Sequence, residues 1–257
     1  MVEIVFLGTG GGRFNLIAQR RGTGGFRING LINFHVDPGP GALIACKKFR
    51  QDPRKVDVLV VSHNHVDHTT DSGAMVEAMT LHHWKPKGMA IGSKSAMQGD
   101  SHGDRGISHY HLKRLQSAQI AIPGKAITLH KDGKKAKLIP TRTQHEDKTG
   151  IGFVLEMEGK RIGYTSDTEY FEGISAQYKG CDALIINNLK REKDGVPGHL
   201  SSLDTIRILR EAKPKAAYLT HMGLTLLKYG PEKEARRIEK ESGVRTVAAK
   251  DGMRVTV

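Results

Sequence analysis

Short apolar runs, each closed by a polar or glycine-rich cluster, recur along the chain and predict alternating strands and helices. Val2 to Leu7 reads as a first strand, followed by the tight loop Gly8-Thr9-Gly10-Gly11-Gly12. Gly25 to Asn29 and Leu31 to Val36 pair as a hairpin about Asn29-Gly30, since both residues accept the positive φ a tight turn needs. Asp37-Pro38-Gly39-Pro40-Gly41 closes it, and Ala42 to Phe49 reads as a helix. Val56 to Val61 has the continuous apolar character of a buried strand, Thr69 to Leu81 is helical, and Met89 to Ile91 is a short strand. Met97 to Tyr110 is glycine-rich and polar without a period, so it reads as a loop or flap. Hairpin-like strands follow at Ala118 to Ile122, Ala126 to His130 and Lys135 to Thr141, then paired strands at Gly152 to Met157 and Arg161 to Tyr164. Ala183 to Ile186 and Ala216 to Thr220 are strands, Thr205 to Ala212 and Glu232 to Glu241 are helices, and two short strands finish the series. With no repeat, low-complexity tract or linker in between, residues 1–257 are expected to form one α/β domain.

The glycine run at residues 8–12 invites a dinucleotide-binding reading, but the third glycine of G-x-G-x-x-G would fall at Arg13, and no helical pattern follows. Two readings stay open for it: a phosphate cradle with Arg13, Arg20 and Arg21 nearby, or a hairpin loop with solvated arginines.

The ends of the predicted strands carry the chemistry. Ser62-His63-Asn64-His65-Val66-Asp67-His68 sets three imidazoles and a carboxylate within six positions, directly after the apolar run Val56 to Val61. Folding gains little from such crowding, whereas a divalent metal rewards convergent nitrogens and carboxylate oxygens. Residues two apart in an extended segment point the same way, so His63 and His65 are expected at one ion and Asp67 and His68, past the bend, at a second. Similar clusters end later strands: His145 in Thr143-Gln144-His145-Glu146-Asp147, Asp167 in Thr165-Ser166-Asp167-Thr168, and His221 in His221-Met222-Gly223. Together they complete a set: His63, His65 and His145 for one ion, Asp67, His68 and His221 for the other, with Asp167 bridging. Asp37 reads either as turn chemistry or as a carboxylate orienting one of these histidines. His82, His83, His102, His109 and His111 lie in or beside the flap with no ligand spacing and are expected to face solvent.

Composition narrows the partners. Lysine and arginine exceed aspartate and glutamate by 40 to 27, a net charge of +13, which favours anionic partners: a phosphodiester, a nucleotide or RNA. The charge is scattered rather than blocked, and aromatics are 5% of residues, so a stacking platform for single strands is poorly supported. No apolar run approaches a membrane span and no signal-peptide pattern opens the chain; with Cys46 and Cys181 far apart, a cytoplasmic location is expected. A homo-oligomer is compatible with all of this.

At this point the sequence resembles the metallo-β-lactamase superfamily. The resemblance rests on Phe6-Leu7-Gly8-Thr9-Gly10, Val36-Asp37-Pro38-Gly39, Ser62 to His68, His145, Thr165-Ser166-Asp167 and Thr220-His221, in family order over nearly the whole chain. It implies a four-layer αβ/βα sandwich of two mixed sheets, with outer helices and two metal ions at one edge. Pro197-Gly198-His199-Leu200-Ser201 is similar to the extra histidine motif of the phosphodiesterase branch, which includes tRNA 3′-processing endonucleases and small cyclic-phosphate phosphodiesterases. Ser201-Ser202-Leu203-Asp204 is a capping-box-like start, so His199 is expected just before a helix N-terminus, a place that favours anions. The tRNA-processing members carry a long arm between the third histidine motif and the bridging aspartate; here His145 and Asp167 are 22 positions apart, filled by a simple hairpin.

The expected activity is hydrolysis of a phosphodiester by a hydroxide bridging two divalent ions, with Asp67 or Asp167 orienting it. His199 would position the phosphoryl group or protonate the leaving oxygen. Imidazole with carboxylate suits zinc first, and manganese, iron or nickel fit the same ligands. Two alternatives stay open: hydrolysis of a carbon ester, thioester or lactone at the same centre, and a nucleic-acid-binding protein with structural metals.

Overall fold

Strand side chains alternate between two faces, and here both faces of the central strands are apolar, so each sheet must be covered on both sides. The computed structural model describes residues 1–81, 84, 86–192 and 196–257. His82 and His83 lie outside the described residues. The first half of the chain forms β1 (Glu3–Phe6), α1 (Gly12–Ala18), β2 (Phe26–Asn29), β3 (Phe34–Val36), α2 (Ala42–Lys48), β4 (Val58–Val61), α3 (Val66–Thr69), α4 (Ser72–Met79), β5 (Met89–Gly92), α5 (Lys94–Gln98), α6 (His109–Leu112) and β6 (Ser117–Ile120). The second half forms β7 (Ile127–Lys131), β8 (Lys134–Arg142), β9 (Ile151–Met157), β10 (Lys160–Tyr164), β11 (Ala183–Lys190), β12 (Leu200–Ser201), α7 (Ser202–Ala212), β13 (Ala216–Thr220), α8 (Leu224–Tyr229), α9 (Pro231–Ser242), β14 (Thr246–Ala248) and β15 (Arg254–Thr256).

One sheet runs β15-β1-β2-β3-β4-β5-β6, antiparallel as far as β3 and parallel beyond it. The other runs β14-β13-β11-β10-β9-β8-β7, parallel from β14 to β10 and antiparallel beyond, with β12 beside β11. Ile4, Phe6, Val58 and Val60 of the first sheet meet Phe153, Leu155, Ile162 and Ile185 of the second in one shared core. The opposite faces turn outward: Leu59 and Val61 pack with Met75, Val76 and Met79 of α4, while Leu184 and Ile186 pack with Ile208 and Leu209 of α7 and Ile238 of α9. Each such side chain contributes about 1.5–3 kcal/mol by leaving water. The result is the expected four-layer sandwich of two mixed sheets with helices outside.

Strand direction places the site. β3 and β4 run parallel in one sheet, and β10, β11 and β13 run parallel in the other. β8 shares their sense because β9 is antiparallel to both β8 and β10. The residues that follow these strands therefore gather at one edge of the sandwich.

Four local expectations need correction. β2 and β3 do pair as a hairpin, but not through a two-residue turn at Asn29-Gly30: β3 starts only at Phe34, and neither Asn29 nor Gly30 has a positive φ. A helix, α1, does follow the glycine run; its only buried residue is Asn15, so there is no apolar stripe to reveal it. The predicted helix from Thr69 to Leu81 is two, α3 and α4, with the chain pinned between them where Asp71 N–H donates to Pro38 O at 2.9 Å. The strand predicted at Ala118 to Ile122 is not a hairpin partner of β7: β6 pairs in parallel with β5, at the edge of the other sheet.

Candidate metal centre

His63 and His65 follow β4, where the chain bends at residues 63 and 64 rather than continuing extended, and present their rings edge to face, centroids 4.7 Å apart. His145, beyond β8, joins them with its Nε2 3.2 Å from His65 Nδ1. One nitrogen from each of these three lies within 4.8 Å of the other two. His65 is the N-cap of α3, and the turn into that helix swings Asp67 and His68 away toward His221. There His221 Nε2 lies 3.2 Å from Asp67 Oδ2 and 3.1 Å from His68 Nε2. Asp167 sits between the two groups. Its Oδ2 is 3.8 Å from His63 Nε2, 3.4 Å from His68 Nε2, 3.3 Å from His221 Nε2 and 3.6 Å from His199 Nδ1.

A shell of hydrogen bonds aims these rings. Asp37 accepts from Ser62 N–H and Oγ–H and from Tyr164 OH, each at 2.7 Å, and faces His68 Nδ1 at 3.0 Å. His145 Nδ1 donates to Gly198 O at 2.8 Å, which leaves its Nε2 as an acceptor. Asn187 Nδ2 donates to Asp167 Oδ1 at 2.6 Å and so turns Oδ2 toward the histidines. Asp37, Ser166 and His221 have φ of 51°, 56° and 54°, a left-handed backbone that costs non-glycine residues about 1–3 kcal/mol each and clusters at functional sites.

The donor set fits cations. His63 Nε2 is buried without a hydrogen-bond partner, although a buried imidazole nitrogen normally has one. Burial, then the neighbouring His68, hold His63 well below its ordinary pKa and therefore neutral. Burial opposes charge on His68 as well, yet Asp67, Asp167 and Asp37 outweigh it and raise that ring well above its ordinary value. Burial would raise Asp67 and Asp167, but His68 and His221 hold both carboxyls well below the usual range. The neutral His63 nitrogen without a partner and the two ionised carboxylates are donors of the kind divalent metals take, and a proton on His68 offsets part of that negative charge, the place a cation would fill on displacing it.

The seven ligand candidates read from the sequence, His63, His65, Asp67, His68, His145, Asp167 and His221, meet here, and His199 joins them: it stacks on His221 with ring centroids 5.8 Å apart and lies 4.9 Å from the His145 ring. The capping box at the start of α7 forms, with Ser201 Oγ accepting from Asp204 N–H and Ser201 N–H donating to the Asp204 carboxylate. That helix end thus satisfies one of its own first-turn donors. The backbone donors of the glycine run are engaged within the fold rather than free to cradle a phosphate: Thr9 N–H donates to Asp251, Gly10 to Gly22 O, Gly11 to Met222 O and Gly12 to Asp67. A Cβ on Gly11 would lie 2.2 Å from the His221 ring, and Arg21 is tied to Thr9 Oγ1 and Ala249 O, each at 3.0 Å. Residues 99–106 lie beside the histidine motif, where Asp104 O accepts from Asn64 Nδ2 at 2.7 Å. His102 and His109 are exposed, and His111 pairs with Glu77 at 3.3 Å.

Sequence reasoning missed Tyr164, Asn187 and Asp147. Asp147 accepts from Asn64 N–H at 3.0 Å and from Ser95 and Thr149, tying the His145 loop to the backbone between His63 and His65. Its position two residues past His145 was the only available signal.

The family model for the β-lactamase superfamily domain matches residues 32–222, and the chain belongs to that family. It is a metal-dependent hydrolase of the metallo-β-lactamase fold. An uncharacterized protein of Methanocaldococcus jannaschii is 37% identical over 257 residues, 99% of this chain and 94% of that one. A ribonuclease Z of Metallosphaera sedula is 21% identical over 268 residues, covering 86% of this chain and 88% of its own. Among solved structures, the metallo-β-lactamase fold protein YhfI from Bacillus subtilis superposes with a TM-score of 0.78 at 20% identity, covering 99% of this chain and 98% of that one.

Proposed function

We propose that this chain is a phosphodiesterase working with two divalent ions, zinc first with manganese, iron or nickel as alternatives, on a small or nucleotide-type phosphodiester, linear or cyclic, or on an RNA end. The observation that carries the reading is the approach of His199 Nδ1 to Asp167 Oδ2, 3.6 Å, beside both histidine groups. It adds to the putting-together of ligands an imidazole that neither group needs.

His63, His65 and His145 would hold one ion and Asp67, His68 and His221 the other, with Asp167 shared. When bound, such ions neutralise phosphoryl charge and acidify a water to serve as nucleophile. Asp67 or Asp167, both held ionised in this setting, would accept hydrogen bonds from such a water and orient it. Burial lowers the His199 pKa to about 4, so the ring is neutral at pH 7 and acts as a hydrogen-bond donor to a phosphoryl oxygen, in preference to protonating the leaving group. The scattered positive charge, +13, draws an anionic diester more strongly than a neutral ester.

The name of the Metallosphaera relative supports a nucleic-acid-type diester. The tight turn between β9 and β10, Glu158-Gly159, stands where the resemblance to tRNA-processing enzymes implies an arm, and favours a smaller substrate. The test is a panel of linear and 2′,3′-cyclic phosphodiesters against aryl esters, thioesters and lactones, run with metal-loaded protein. Faster turnover of the diesters supports the reading; turnover confined to carbonyl substrates sinks it.

A further inference from the structure

The helix α1 is fastened to the metal centre at its first residue, where Gly12 N–H donates to Asp67 Oδ2 at 3.1 Å. The next residue, Arg13, reaches Glu146 Oε2 at 3.8 Å, and that same oxygen is 3.8 Å from His65 Nε2. Arg13 and Glu146 therefore face each other across the mouth of the site, one from each lip. Helical spacing puts Ile17 four residues from Arg13 and three from Phe14, so the three side chains form one strip. Phe14 is 78% exposed and Ile17 82%, and the neighbouring helix α3 carries Val66, 60% exposed.

This strip gives nothing to folding. The buried side of α1 is Asn15, whose amide donates to Arg21 O at 3.0 Å and accepts from Arg21 N–H at 3.3 Å. Polar bonds help hold the helix in place, and Phe14 and Ile17 stay in water next to the Arg13–Glu146 pair. Contiguous exposed apolar groups beside a site are the mark of a ligand contact.

We propose that Phe14, Ile17 and Val66 form a nucleobase subsite, with the base stacked on the Phe14 ring while Arg13 exchanges Glu146 for the anionic oxygens of the adjacent phosphoryl group. The proposal rests on the phosphodiesterase reading and narrows it to diesters that carry a base. Charge complementarity commits the strip to this occupant: a cation heads the apolar surface on the side toward the metal ligands, and a nucleotide presents an anion and a flat apolar ring in that order. A phenyl face accepts any base, so the subsite selects nucleotides as a class.

Metal-loaded protein is titrated calorimetrically with AMP and with ribose 5-phosphate, which differ by the base alone. The parent binds AMP roughly tenfold more tightly, the fold-change of one stacked base. Phe14→Ser brings the affinity ratio near one, Phe14→Tyr restores it, and Arg13→Gln weakens both probes while leaving the ratio in place. A parent ratio of one, or a ratio unmoved in Phe14→Ser, overturns the subsite. So does a parent dimer that becomes a monomer in Phe14→Ser with the ratio intact, which assigns the strip to contact between copies. Diester hydrolysis is assayed separately: a parent that shows the base preference but cleaves no diester contradicts the phosphodiesterase reading and leaves the subsite standing.

Discussion

Asp37 Oδ2 lies 3.0 Å from His68 Nδ1, and that contact decides which way His68 faces. The same carboxylate holds Ser62 and Tyr164, so one side chain on the loop after β3 sets the position of the histidine motif after β4. Asp37→Ala leaves those buried donors without an acceptor and lets the His68 ring turn. Metal affinity should fall about 10–100-fold, the usual loss when a ligand's supporting carboxylate is removed. Competition against a chromogenic chelator measures it, and an affinity equal to the parent's would show that Asp37 is ordinary turn chemistry.

His199 touches the centre without being needed to complete either histidine group. His199→Ala should retain the parental metal content while turnover of bis(p-nitrophenyl) phosphate falls by about 10²–10³, the range for losing a positioned hydrogen-bond donor or acid–base group. Elemental analysis and initial rates are read on the same preparation. Parental turnover in the variant would remove His199 from the reaction.

Gly11 is where the chain crosses the His221 ring. A methyl group there would meet ring atoms at 2.2 Å, so Gly11→Ala must push either the loop or the ring. Overpacking of this kind costs about 1–3 kcal/mol, and displacement of His221 should weaken binding of one metal equivalent more than the other. Thermal unfolding together with metal titration tests it; an unchanged melting temperature with two equal sites would mean that the loop yields freely.

Away from the centre, His35 on β3 is fully buried and donates from Nε2 to Gly24 O at 3.0 Å. Burial, then Arg27, lowers its pKa to about 3. An unfolded chain takes up this proton near pH 6.5 and the folded chain does so only near 3, so the unfolded state binds more protons between those values. The stabilising contribution is complete above about pH 6.5 and shrinks as pH falls toward 3, by a total on the order of 5 kcal/mol. His35→Gln should flatten that part of the stability–pH curve in urea unfolding. A variant with the parental slope would show that other groups carry the acid sensitivity.

The strand-end pattern made the site legible because each of His63, His145, Asp167 and His221 follows an apolar run, and runs of one direction end at one edge. Tyr164 was hidden because its ring packs in the shared core and reads as core, while only its hydroxyl reaches Asp37. Asn187 lies inside β11, which continues to Lys190 past the apolar stretch ending at Ile186, so the sequence places the strand end too early. α1 and β6 escaped for a shared reason: neither buries an apolar stripe, since α1 buries Asn15 alone and β6 is a largely exposed edge strand. Periodicity reports burial, and elements placed at the rim for other reasons leave no such trace.

The two histidine groups are joined through one carboxylate oxygen, Asp167 Oδ2, within 3.8 Å of both. The direct test is metal stoichiometry of zinc-reconstituted protein by elemental analysis, with Asp167→Ala alongside. Two ions per chain in the parent, with both the second equivalent and diester hydrolysis lost in the variant, is the expected result. A parent that holds no ion after careful reconstitution, or a variant that keeps both ions and full activity, would contradict a shared two-metal centre.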